Sequence, residues 1–233
     1  MSTSPLYDGD WVTETLPTFP NLIGFNENGE SLYSLGRLTF AMIRPGDKVC
    51  AITKITQHIH KLSCDPTQLN EDGSVVLPSL VPKSLRGEVE EDPSEIRSYR
   101  TDVHFTLEEN SVKGVLQMDG FTIPNPSEPN RYSIWFTGGR CYALEGQSAD
   151  QWHDVFGTEL PKLKKRERFQ RWIAKLLMGA EPSDGLLEDG SLAYAMKNPL
   201  GGHKTAFQQV LYLDDDVRIT EGNRGTIVVV SRI

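Results

Sequence analysis

Apolar and β-branched residues recur along this chain in short runs broken by Gly, Pro, Asn and Asp, a pattern of strands more than of helices. Six such runs, residues 31–41, 48–61, 97–107, 112–123, 131–137 and 140–144, are rich in Val, Ile, Thr, Tyr and Phe. Near the C-terminus two β-branched runs within residues 210–230 flank a loop at 221–225 that carries Gly222 and Gly225, the signature of a β-hairpin. Successive short strands with turn signals between them predict an antiparallel barrel or sandwich, because a parallel sheet needs a helix between strands. The proline- and acid-rich segments 78–93 and 124–129 read as loops.

Two segments depart from this pattern. Ser148 followed by Gln151 has the form of a capping box, and Gly157 follows Trp152, Val155 and Phe156, which predicts a short helix. Over residues 161–178 Phe169, Trp172, Ile173, Leu176 and Leu177 recur at helical spacing, with Pro161 suited to the first turn and Gly179 to the end. This predicts one long amphipathic helix. Its polar positions carry Lys162, Lys164, Lys165, Arg166, Arg168, Arg171 and Lys175 against the single acid Glu167, while the whole chain has net charge −8. Such asymmetry suits an anionic membrane surface or an acidic partner, contacted through Lys164, Lys165, Arg168 and Arg171. The plainer reading has the apolar stripe covering the barrel and the basic side chains merely solvated.

Composition narrows the function classes. The acidic balance, pI near 5.2, argues against general nucleic-acid binding, which depends on neutralising phosphates. No run of about eighteen apolar residues exists to form a transmembrane helix. Cys50, Cys64 and Cys141 have no metal-ligand spacing and are odd in number, which fits free thiols. His58 and His60 alternate on one strand face, but a cupin-like site also needs a carboxylate and a third histidine with supporting glycine spacing, a pattern not found after Lys61, so no metal is expected. Gly138-Gly139 and Gly201-Gly202 sit between no strand and helix in a phosphate-loop pattern and read as turns. A Gly-x-Ser-x-Gly elbow is lacking as well, and no cofactor is expected.

Several motifs carry a resemblance. They are Tyr-Leu-Asp-Asp-Asp-Val-Arg-Ile at 212–219 with Gly-Asn-Arg-Gly at 222–225, Arg-Tyr-Ser-Ile-Trp-Phe-Thr-Gly at 131–138, Ser-Leu-Gly-Arg-Leu-Thr-Phe at 34–40, and Gly-Asp-Trp at 9–11. Together they resemble the plastid-lipid-associated protein (PAP)/fibrillin domain family, most closely in the last third. The resemblance implies one domain over 1–233: a lipocalin-like antiparallel barrel of about eight to ten strands with one long amphipathic helix and a short helix before it. It implies a non-enzymatic binder of a prenyl lipid, carotenoid or fatty acid at plastid lipid bodies or thylakoids. The alternative is an interaction protein that coats lipid droplets or docks a lipid-biosynthetic enzyme through its basic helix. The family is largely plastid-targeted, whereas residues 1–11 show neither an apolar signal nor an Arg- and Ser-rich leader, so plastid and cytoplasm both stand as locations.

Trp11 and Trp135 are the expected ligand reporters, at a barrel end and in its wall. In the C-terminal motif Arg218 points to the sheet face opposite Val217 and Ile219. Two readings stand for it. Asp214 or Asp216 pairs with it as a structural motif with Gly222 and Gly225, or it faces the lumen and reads a ligand's polar head. Three consecutive acids at 214–216 diverge on a strand and do not form a calcium site.

Overall fold

The computed structural model describes the chain apart from residues 1–4, 40, 63–66, 72, 74–75, 83–94, 126, 129, 158–164, 184 and 203–204. A 3-10 turn at Pro5–Tyr7 precedes β1 (Gly9–Thr13), β2 (Gly24–Phe25), β3 (Ser31–Ser34) and α1 (Leu35–Leu38). Four long strands follow, β4 (Val49–Lys61), β5 (Arg97–Leu107), β6 (Lys113–Pro124) and β7 (Arg131–Ala143). Then come α2 (Ala149–Phe156), α3 (Lys165–Met178), β8 (Ala180–Pro182), β9 (Leu192–Gly201), β10 (Phe207–Leu213), β11 (Val217–Gly222) and β12 (Ile227–Arg232).

The barrel has eight antiparallel strands in the order β1-β12-β11-β10-β7-β6-β5-β4, and β1 pairs β4 to close it. The long strands β4 and β7 each have two neighbours on one edge. β4 holds β1 at residues 56–59 and β3 at 49–51, while β7 holds β10 at 131–133 and β9 at 135–141. One half of the molecule is therefore a closed barrel, and in the other half the same strands splay, with β2-β3 and β8-β9 added to their edges.

Alternation along β5 sends Tyr99, Thr101, Val103, Phe105 and Leu107 inward. The splayed half buries Val103, Phe105, Leu116 and Cys141 with Tyr33, Leu35 and Leu192, and α2 covers them with Trp152 and Phe156. Ser148 caps α2 as expected, its hydroxyl accepting the Gln151 N–H, and the Trp152 indole donates to the Gly190 carbonyl at 2.9 Å. At the other end the 3-10 turn inserts Tyr7, which stacks on Tyr132 at 4.0 Å and packs with Ile59, Tyr99 and Ile134.

Several expectations are corrected. The strand expected over 31–41 ends at Ser34, because Leu35 N–H bonds Lys48 O and Gly36 N–H bonds Gly46 O, after which Thr39 N–H and hydroxyl both return to Leu35 O and close a helical turn. The strands expected over 131–137 and 140–144 are one, β7, so Gly138 and Gly139 form no turn. They lie where a side chain has no room: a Cβ on Gly139 would stand 2.3 Å from Gln117 O. Of the other pair, Gly201 is the last residue of β9, and Gly202, with φ +113°, accepts from the Thr205 N–H at 3.1 Å. The helices are short, and of the one expected over 161–178 the structure shows fourteen residues, Lys165–Met178. Its first turn lies outside the described residues.

The orientation of α3 also differs from the plainer expectation. Ala174 is its buried contact, packed with Met42 and Ala180 beside Tyr194 and Met196. The stripe faces away from the barrel: Phe169 is 59% exposed, Trp172 58%, Leu176 64% and Leu177 65%. Helical geometry explains it, since Ala174 lies opposite Trp172 and Leu176 on the helical wheel and its small side chain lets the backbone approach β8 and β9.

Candidate ligand pocket and the lumen arginine

The edge of β7 passes from β9 to β10, and the chain leaves it at the Gly202 turn. There the wall opens into a pocket of about 440 Å³. Its inner side is Met118 and Phe136, both on lumen-facing positions of their strands, and its rim is Leu38, Met42, Tyr194, Met196, Thr205 and Ala206. The lining is almost wholly apolar, and the three methionines adapt to ligand shape better than branched side chains. The volume lies within the range of roughly 300–1,000 Å³ typical of small-molecule sites.

Phe136 is the partition between this pocket and the closed half of the lumen. Its ring meets Tyr99 edge-on at 6.1 Å, and the Tyr99 hydroxyl accepts from Gln208, which in turn accepts from Tyr7. Beyond them lies Arg218, fully buried. Its guanidinium stands 4.8 Å from the Trp11 ring and 5.1 Å from the Tyr7 ring, and one amino group donates to the Gln57 side-chain oxygen. The Nε and Nη1 groups find no hydrogen-bond partner among the described residues. Burial pushes the Arg218 pKa down from its ordinary value, against the pull of the Tyr7 and Tyr99 hydroxyls.

A second buried arginine in the lumen shows what is unusual about this one. Arg97 pairs with Asp8 and, at 3.2 Å, with Glu95. Arg218 makes no ion pair among the described residues. The pairing of Arg218 with Asp214 or Asp216 is thus corrected: Asp214 instead accepts from the Tyr212 hydroxyl at 2.6 Å and from the N–H groups of Asp216 and Val217 at 2.9 and 2.7 Å, folding residues 214–216 into the turn between β10 and β11. These bonds hold the Asp214 carboxyl below its ordinary pKa. Gly222 and Gly225 belong to the β11-β12 turn, where Gly225 has φ +73° and donates to Gly222 O.

The two tryptophan reporters separate. Trp11 is inside, under the guanidinia of Arg218 and Arg232. Trp135 alternates with Ile134 and Phe136 to the outer face, stacked on Phe121 at 5.3 Å and packed with Val81 and Ile96. Of the basic residues assigned to a surface contact, Lys165 and Arg168 are exposed. Arg171 is half-buried and its guanidinium reaches Met42 O at 3.4 Å; Lys164 lies outside the described residues. The pocket's own residues escape sequence reading because the strand that supplies Tyr194 and Met196 contains Asn198 and Pro199, which signal a loop. The register against β7 skips from Ala195 to Leu200, so Pro199 falls where no ladder N–H is needed.

On the outer wall the β1-β4 pairing sets Asp10 directly opposite His58. Asp10 Oδ1 is 2.7 Å from His58 Nδ1 and 3.0 Å from His60 Nε2, which supplies from upstream the carboxylate that sequence reading sought after Lys61. No family model, curated protein or solved structure matches this chain.

Proposed function

We propose that the protein binds one hydrophobic small molecule, without catalysis, in the pocket between β9 and β10, as the resemblance to the PAP/fibrillin family also implies. The observation that carries the reading is an apolar opening in a closed barrel wall that leads toward a buried arginine whose Nε and Nη1 find no partner among the described residues. A single acyl or prenyl chain lies against Met118, Phe136 and Met196. Rotation of Phe136 admits a polar head, a carboxylate or a quinone carbonyl, to Arg218. The gain is large for such a head, since a buried donor without a partner costs about 1–3 kcal/mol and a charge-assisted bond removes that cost. Among the family's ligand classes, a fatty acid or prenylquinone fits this arrangement better than a carotenoid hydrocarbon, which offers Arg218 nothing. Plastid lipid bodies or thylakoids are the corresponding place of action.

The test is a titration of delipidated protein with a long-chain fatty acid and with a prenylquinone, read by tryptophan fluorescence. Saturable quenching that disappears in Trp11→Phe and persists in Trp135→Phe is expected. A folded protein that saturates with neither ligand sinks the proposal.

A second reading rests on the outward face of α3. Exposed Phe169, Trp172, Leu176 and Leu177, with Lys165, Arg168 and Lys175 also exposed, make the pattern of an interfacial helix on anionic lipid. Both readings fit one protein that takes its ligand from a lipid surface, because α3 packs against β8 and β9 and β9 forms the pocket rim.

A further inference from the structure

Outside the barrel, on the wall away from the lumen, three side chains with metal-ligand atoms converge. Asp10, His58 and His60 bring one carboxylate oxygen and two imidazole nitrogens within 4.8 Å of one another. From the positions of these side chains we infer that Asp10, His58 and His60 form a binding site for a divalent cation of the zinc class, independent of the lipid pocket.

Three observations carry it. First, the triad exists only because the barrel closes. His58 and His60 share a face of β4 by alternation, and the β1-β4 ladder places Asp10 opposite His58. Two nitrogens and one carboxylate oxygen are the donor set that zinc, cobalt and nickel prefer over magnesium or calcium. Ligand atoms each about 2.0–2.2 Å from one ion stand roughly 3–4 Å apart, so small side-chain rotations open the present 2.7 and 3.0 Å contacts enough to admit it.

Secondly, the histidine at the centre has an outer partner. The far nitrogen of His58, Nε2, lies 3.4 Å from Asp102 Oδ2 and 3.3 Å from the Thr56 hydroxyl. Asp102 is buried and is itself gripped by Arg100 through Nε at 2.9 Å and Nη2 at 2.5 Å. A carboxylate on the second ring nitrogen fixes the orientation of a metal-bound imidazole and strengthens it as a ligand. Thirdly, the triad has an open side. His60 is half exposed, and the three residues line a groove of about 690 Å³ whose wall also includes Ser98, Arg100 and Arg140. Three protein ligands with positions left to water are the arrangement of an accessible zinc site, distinct from a sealed structural one.

The experiment uses untagged full-length protein and the metal alone. Zinc is titrated calorimetrically, and cobalt is titrated while visible absorption is followed. One ion per chain is expected, with cobalt bands characteristic of nitrogen and oxygen donors. His60→Gln changes an exposed side chain and leaves the fold intact; it and Asp10→Asn should each weaken zinc at least about tenfold, and Asp102→Asn by about 10- to 100-fold. The proposal is overturned if zinc does not saturate at one per chain, or if His60→Gln and Asp10→Asn bind it as the unaltered protein does; the triad is then a hydrogen-bonded cluster only. Lipid titration of the same variants keeps the two sites apart, since none of these residues lines the pocket.

Discussion

The Arg218 guanidinium lies 4.8 Å from the Trp11 ring in the barrel lumen and, among the described residues, has Gln57 and no carboxylate as its hydrogen-bond partner. A charge held this way is a cost to the folded state, so its removal tells ligand recognition from structural pairing. Arg218→Met keeps the volume and the aromatic contacts, and its free energy of unfolding should lie within about 1 kcal/mol of the unaltered protein, whereas breaking a buried ion pair costs about 3–5 kcal/mol. Gln57→Leu should be the more harmful change, by about 1–3 kcal/mol, because it strips Arg218 of its one hydrogen-bond partner among the described residues. Urea denaturation of the two variants checks the order. In the same variants, Arg218→Met should lose preference for a fatty acid over its methyl ester.

Filling the pocket should block binding without unfolding the barrel. Ala206 is on the rim, so Ala206→Phe projects a ring into the 440 Å³ space. Fatty-acid affinity should fall more than tenfold while the thermal midpoint stays unchanged. Unaltered affinity in this variant places the ligand elsewhere.

The outward stripe of α3 predicts vesicle binding of a defined kind. Lys165→Glu, Arg168→Glu and Lys175→Glu together should weaken co-sedimentation with anionic vesicles more than about 100-fold, at about 1 kcal/mol per basic residue near the surface. Phe169→Ala with Trp172→Ala should also abolish it, and change stability by less than about 0.5 kcal/mol, since both rings are exposed. A large loss of stability would show that the stripe packs against protein.

Burial pushes the Cys50 thiol up to about 12, and it pushes Cys141 up as well. Neither thiolate forms near neutral pH in the folded protein. Iodoacetamide at pH 8 should therefore leave both residues unmodified until denaturant is added, as read by peptide mass mapping. Labelling of Cys141 in the native protein would contradict the packed interior of the splayed half.

The long strands were legible because alternation and turn residues mark them locally. The predicted 97–107 coincides with β5, and Ser148 with Gln151 does start a helix. What escaped depends on contacts distant in sequence. Asp10 meets His58 only through barrel closure, β9 survives Pro199 only because its ladder skips there, and Arg218 has a partner 161 residues away rather than the neighbouring acids. The α3 stripe was legible as a stripe, but spacing alone does not say which way a helix faces, and here the small Ala174 turns it outward.

The measurement that bears most directly on the lipid-binding account is native mass spectrometry of the protein purified without detergent, followed by organic extraction. The account predicts one lipid per chain, bearing a carboxylate or quinone carbonyl on a single chain, retained by the unaltered protein and lost from Ala206→Phe. A chain that flies at its own mass, and stays so after incubation with fatty acid and prenylquinone, contradicts it.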